Sequence, residues 1–74
     1  MKVLLFGMIA EKAGAEALEC SAPDSATLKN VLEERIDGLS AMSYAIAIDR
    51  VIVHDNRELA GNEEVAVLPP FAGG

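Results

Sequence analysis

One segment of this chain dictates the plan of the rest. In "SAPDSATLKNVLEERIDG", residues 21–38, Leu28, Val31, Leu32 and Ile36 repeat with helical spacing, while Lys29, Asn30, Glu33 and Glu34 fall outside their stripe. Asp24, Ser25 or Thr27 can cap its start after Pro23, and Gly38 is placed to end it. It is the clearest helix in the sequence, and most of the remaining apolar runs are short and strand-like. One amphipathic helix covers one face of a sheet, so the other face is left without a helix of its own.

The strand-like runs flank that helix on both sides. "KVLLF", residues 2–6, is a β-branched and aromatic run. Gly7 and Gly14 bracket a turn-like stretch with one helical turn over Ile9–Ala13. "EALEC", residues 16–20, sets Leu18 and Cys20 on one face and Ala17 and Glu19 on the other, which completes a hairpin with a long connection. Beyond the helix, Tyr44, Ile46 and Ile48 alternate with Ala45 and Ala47, Asp49-Arg50 forms a turn, and "VIVHD" follows. "DNREL" reads as loop, with Leu59 as an apolar anchor. "EEVAVL" is a last strand, stopped by Pro69-Pro70 because proline cannot donate to a ladder.

The expected fold is therefore α+β: a mixed sheet of about five strands wrapped on one main helix, the β-grasp roll. Residues 1–68 form the domain and residues 69–74 an extended tail. If the last strand pairs with the first, it lies at the sheet centre and the tail leaves from there. With Val3 and Leu5 turned to the helix, Leu4 and Phe6 face away as an apolar patch. Such a patch points to a partner; the alternative is that loop 37–43 or loop 54–61 folds over it.

Charge and composition narrow the functions. Twelve acids against six bases leave a net charge of −6, which argues against nucleic acid and suits a partner with a basic surface. Cys20 is the single cysteine, so an internal disulfide is excluded; with one histidine besides, so is a four-ligand zinc site, and no metal is expected. "MKVLLFGMIA" mimics a signal peptide, but Glu11 and Lys12 interrupt it before the small residues arrive, and the cytoplasm is the expected compartment. No apolar run approaches the roughly 20 residues that span a bilayer. His54 beside Asp55 reads as a surface loop histidine and Cys20 as a core residue. Glu11, Glu33, Glu34, Glu63 and Glu64 show no acid–base spacing, and no phosphate-binding glycine motif is present. A chain this short also has little room for a deep cleft.

The chemistry then falls to the last residues, "LPPFAGG". Two closing glycines arise by chance in roughly one chain in 200 at ordinary glycine usage, about 7%. Without β-carbons, Gly73-Gly74 is thin enough to thread a narrow channel in another protein. Pro69 and Pro70 stiffen the exit, Phe71 can anchor in an apolar pocket, and Ala72 completes the arm. The group delivered is the Gly74 carboxylate. Activation with ATP would make it an acyl-adenylate, which sulfur converts to a thiocarboxylate and an amine to an amide.

These residues resemble the MoaD and ThiS sulfur-carrier family, which shares the ubiquitin-like β-grasp fold. The likeness runs through "KVLLFG", the Glu11 to Gly14 turn, "TLKNVLEERI", "AIAID" and above all "GNEEVAVLPPFAGG". Pro-Pro before x-x-Gly-Gly is similar to the molybdopterin branch rather than the thiamine one. The resemblance implies that Gly74 is the working residue, that Gly73, Ala72, Phe71, Pro70, Pro69, Phe6 and Leu4 meet the partner, and that no cofactor is held. It implies two partners, the large subunit of a molybdopterin synthase heterotetramer and an ATP-using adenylyltransferase related to the ubiquitin-activating enzymes. The chain itself would be non-catalytic, donating sulfur to precursor Z for the molybdopterin dithiolene. Met8 and Ala10 stand where the family often has basic residues, Asp49 where it often has Asn, and Asn62 where it often has Gly. Other readings are a carrier for thiamine or tRNA thiolation, a ubiquitin-like protein modifier, and a passive binding module that uses the Leu4/Phe6 face.

Overall fold

The first and last strands run side by side in the same direction, and the rest of the architecture is built outward from that pair. In a computed structural model that describes residues 1–69, β1 (Lys2–Leu5) pairs parallel with β5 (Val65–Leu68), with Leu5 opposite Val67. β2 (Ala17–Glu19) adds antiparallel to β1, and β3 (Ala45–Ile48) antiparallel to β5. β4 (Val51–Ile52) closes the far edge, giving the order β2-β1-β5-β3-β4 with β5 at the centre. The expected mixed sheet of the β-grasp roll is what forms.

The main helix, α2 (Ser25–Arg35), starts where Asp24 accepts a hydrogen bond from the Thr27 amide at 2.8 Å. That carboxylate satisfies one of the donors a helix start leaves open. Leu28 and Leu32 are fully buried and Val31 packs at the edge of the cluster. They meet Val3, Leu5, Ile46, Ile48, Val65 and Val67 from the sheet. The helix ends at Arg35, earlier than Gly38; Gly38 instead takes the left-handed conformation and opens a 3-10 turn, Leu39–Ala41, that drives Leu39 into the core.

The stretch between β1 and β2 is more helical than its sequence suggests. α1 runs Gly7–Ala13, where one turn over Ile9–Ala13 was expected. Ile9 is the one fully buried residue of α1, with the small side chains of Ala10 and Ala13 packed against the core beside it; two alanines make a faint apolar stripe in sequence, and tertiary packing of this face holds the helix. Gly14 ends it, its N–H donating to Ala10 and Glu11 carbonyls.

Both loops that were candidates to cover the open sheet face work on the helix side instead. Leu39 belongs to the core cluster. Loop 54–61 is tied to the start of α2: Ser25 Oγ donates to Asn56 Oδ1 at 3.2 Å, the Arg57 amide donates to Ser25 Oγ at 2.8 Å, and Leu59 donates to the Pro23 carbonyl at 2.9 Å. Cys20 is a buried core residue, and His54 is exposed, as their sequence contexts suggest. No helix among the described residues is long and apolar enough to cross a membrane.

Candidate functional site

The open face of the sheet follows from strand register. Directly paired residues share a face, so Leu4 lines up with Ala17 on one side and Ala66 on the other, and the row continues through Ala47 to Ile52. A second row sets Leu68 against Ala45. Phe6 extends that row: its amide donates to the Val67 carbonyl at 3.2 Å, carrying the ladder one residue past β1. The alanines keep the middle of this face low, and Leu4, Phe6, Leu68 and Ile52 rise around them. Phe6 is 44% exposed and Met8, at the start of α1, is 58% exposed. Leu4, Phe6, Leu68 and Ile52 lie outside the core cluster, and among the described residues no helix belongs to this side of the sheet, so the larger side chains stay available to a partner.

Pro69 is the last described residue, and it follows Leu68 directly at the end of β5. It is half-buried, and its ring lies against Gly7: a β-carbon on Gly7 would come within 3.2 Å of Pro69 Cγ. Leu4 and Phe6, singled out in the sequence, thus share the open face, while Pro69 meets the chain at Gly7, the residue after Phe6. Pro70, Phe71, Ala72, Gly73 and Gly74 lie outside the described residues, as does most of the expected tail over 69–74.

Sequence reasoning missed Gly7, Met8 and the alanine floor. Alternation in β3 and β5 carries the signal for Ala45, Ala47 and Ala66, but only register tells which strands stand beside Leu4. Met8 adjoins a buried Ile9, and its exposure depends on α1 being a helix.

The rest of the described surface offers little chemistry. An open groove of about 370 Å³ between α2 and the β3–β4 edge is lined in part by Lys29, Tyr44, His54 and Asn56. Tyr44 donates to Glu33 at 2.6 Å and lies beneath Lys29, whose ammonium is 5.6 Å from the ring centre. Burial, and then the hydrogen bond to Glu33, push the phenol well above its ordinary range, so Tyr44 stays protonated and ties β3 to α2. The Thr27 hydroxyl and amide, with Asn56 adding to them, hold the Asp24 carboxyl below the usual carboxylate range. The amides of Ala60 and Gly61 do the same for Glu63. These are structural carboxylates at a helix start and a turn. Among the described residues, no group of three or more His, Cys, Asp or Glu side chains is arranged to hold a metal.

A central strand that leads out of a mixed five-stranded sheet, beside an uncovered apolar face, defines a ubiquitin-like β-grasp protein. The profile of the ThiS family matches residues 3–74, and the chain belongs to that family of small sulfur carriers. Its structure is similar to a chain of the complex of subunits 1 and 2 of molybdopterin-converting factor from Helicobacter pylori 26695. The two are 26% identical with a TM-score of 0.72, over 99% of this chain and 96% of that one. It is also similar to SAMP1 from Haloferax volcanii, at 17% identity and a TM-score of 0.71, over 99% of this chain and 97% of that one, a likeness of fold. No curated protein sequence matches the chain significantly.

Proposed function

We propose that the chain is the sulfur-donating small subunit of a molybdopterin synthase, with the Gly74 carboxylate as its working group. The observation that carries this reading is the likeness to a chain of the two-subunit molybdopterin-converting factor, at 26% identity over nearly the whole of both chains. The family match that extends to residue 74 supports it further. The Gly74 carboxylate attacks the α-phosphate of ATP on an adenylyltransferase of the ubiquitin-activating kind, giving an acyl-adenylate and releasing pyrophosphate. Hydrosulfide then displaces AMP and leaves a thiocarboxylate; a persulfide donor reaches the same product when a thiol reduces the acyl disulfide it first forms. Docked on the large subunit through the Leu4 and Phe6 face, the chain bonds its thiocarboxylate sulfur to a side-chain carbon of precursor Z as an oxygen substituent leaves. Water hydrolyses the resulting thioester, leaving a thiol on the pterin and the carboxylate on Gly74, and a second charged carrier delivers the second sulfur. The carrier supplies the sulfur and the position, and its partners supply the catalysis.

The test is intact-mass measurement of the purified chain after incubation with the adenylyltransferase, ATP and a sulfur donor. One oxygen-to-sulfur exchange at the C-terminus is expected. A mass that always equals the plain carboxylate overturns the proposal. A second reading, a carrier serving thiamine or tRNA thiolation, draws support from the family match, because the thiocarboxylate chemistry is shared. It predicts the same exchange but no stable complex with a large molybdopterin synthase subunit.

A further inference from the structure

We propose that Arg35 guards the free edge of the sheet at β2, and that without it two copies of this chain pair antiparallel through that strand. The proposal goes beyond the carrier reading and does not rest on it. β2 stands at one end of the sheet, with β1 as its neighbour. Two bonds flank its ladder: the Leu5 amide donates to the Glu16 carbonyl at 2.8 Å, and the Cys20 amide donates to the Met1 carbonyl at 2.9 Å. In an antiparallel ladder the bonding residues alternate. Glu16, Leu18 and Cys20 therefore turn their backbone groups to β1, and Ala17 and Glu19 turn theirs outward. Outward groups of this kind are a template for another strand. One of the four is already taken. Arg35, the last residue of α2, donates from Nη1 to the Glu19 carbonyl, and the same nitrogen lies 3.5 Å from the buried Cys20 Sγ. The guanidinium thus lies across the edge, on the path an added strand would take.

The edge matches itself. With a two-fold axis through Leu18, Ala17 of each copy stands opposite Glu19 of the other, and the outward N–H and C=O groups of these residues pair completely. Both Glu19 carbonyls are needed for that, so both Arg35 side chains must leave first. Leu18 meets Leu18 of the second copy on the helix side of the sheet, where it already packs against the core. Ala17 lies in the open-face row beside Leu4, and pairing would set Glu19 of the second copy next in that row. The guard therefore also keeps a carboxylate away from the apolar face. The strand's other protection is modest: it is three residues long, and Glu16 and Glu19 are exposed on a chain of net charge −6. That repulsion is screened by salt, so high salt isolates the part played by Arg35.

The experiment is sedimentation velocity over a range of concentrations in about 1 M salt, where the screening length is about 3 Å. It compares the wild type, Arg35→Ala, Ala17→Pro and the double variant Arg35→Ala/Ala17→Pro, with thermal unfolding and amide hydrogen exchange measured on each. Ala17→Pro removes an outward N–H and no ladder bond to β1. The wild type is expected to sediment as a monomer. Arg35→Ala is expected to shift to a dimer as concentration rises, with a Kd at least roughly tenfold below that of any wild-type self-association, the scale of freeing two hydrogen-bonded carbonyls. The Ala17 and Glu19 amides gain protection in that dimer, and the double variant returns to a monomer. An Arg35→Ala chain that stays monomeric at every concentration overturns the proposal, as does a wild type that dimerises as tightly. A double variant that still dimerises overturns it as well. So does a dimer whose Ala17 and Glu19 amides exchange as fast as in the monomer, because another surface then carries the contact. Should the proline variants fail to fold, exchange at those two amides in Arg35→Ala decides by the same outcomes.

Discussion

Phe6→Ala separates the open face's role in binding from its role in folding. Phenylalanine has about 200 Å² of surface to bury. With 44% of it exposed in the free chain, about 90 Å² remains for a partner to cover. At about 25 cal/mol per Å², covering that area contributes about 2 kcal/mol, or about 30-fold in Kd. The part already buried contributes about 3 kcal/mol to folding by the same measure, so the variant also unfolds at lower denaturant. Urea unfolding of the variant alone, followed by calorimetric titration with the large subunit well below its midpoint, measures the two effects separately. A variant that is folded, loses stability as expected and still binds with wild-type Kd would refute the assignment of this face to the partner. A rim position gives little change in Kd, whereas a covered anchor gives the full loss.

Other predictions probe the scaffold. Arg50 and Asp49 form the two-residue β3–β4 connection at φ values of +70° and +50°. Arg50→Gly should be at least as stable as wild type, whereas Arg50→Val should lose about 1–2 kcal/mol in urea unfolding, because a β-branched residue resists that conformation. The exposed Arg50–Glu64 pair, at 3.6 Å, contributes too little to reverse the order. Leu32→Ala, at a fully buried position facing the sheet, should cost roughly 2–5 kcal/mol by the same measurement. Asp24→Ala removes the acceptor for the Thr27 amide and should lower Tm by roughly 4–8 °C in calorimetry. Asp24 and Glu63 bind protons less tightly folded than unfolded, so their stabilisation is present above the ordinary carboxylate pKa and lost as pH falls through the depressed folded values. Stability measured from pH 6 down to pH 2 should therefore fall, less steeply in the double variant Asp24→Asn/Glu63→Gln.

Much of this fold can be read from patterns a few residues long. Helical spacing of Leu28, Val31, Leu32 and Ile36 marks the helix, and alternation marks the faces of β1 and β3, because these periods are properties of the local backbone. Asp24 and the Asp49-Arg50 turn are legible for the same reason, and proline at 69 marks the end of β5 wherever that strand lies. Some features required the assembled molecule. The length of α1 depends on a core pocket for Ile9 that its neighbours in sequence do not announce. The bridge of Asp24 to Glu58, and the bonds of Ser25 with Asn56 and Arg57, join segments that share no local pattern. The meeting of Gly7 with Pro69 exists only because the two ends of the chain pair in parallel. Register along a sheet is a long-range choice, made by the packing of a whole face, and no short stretch of residues contains it.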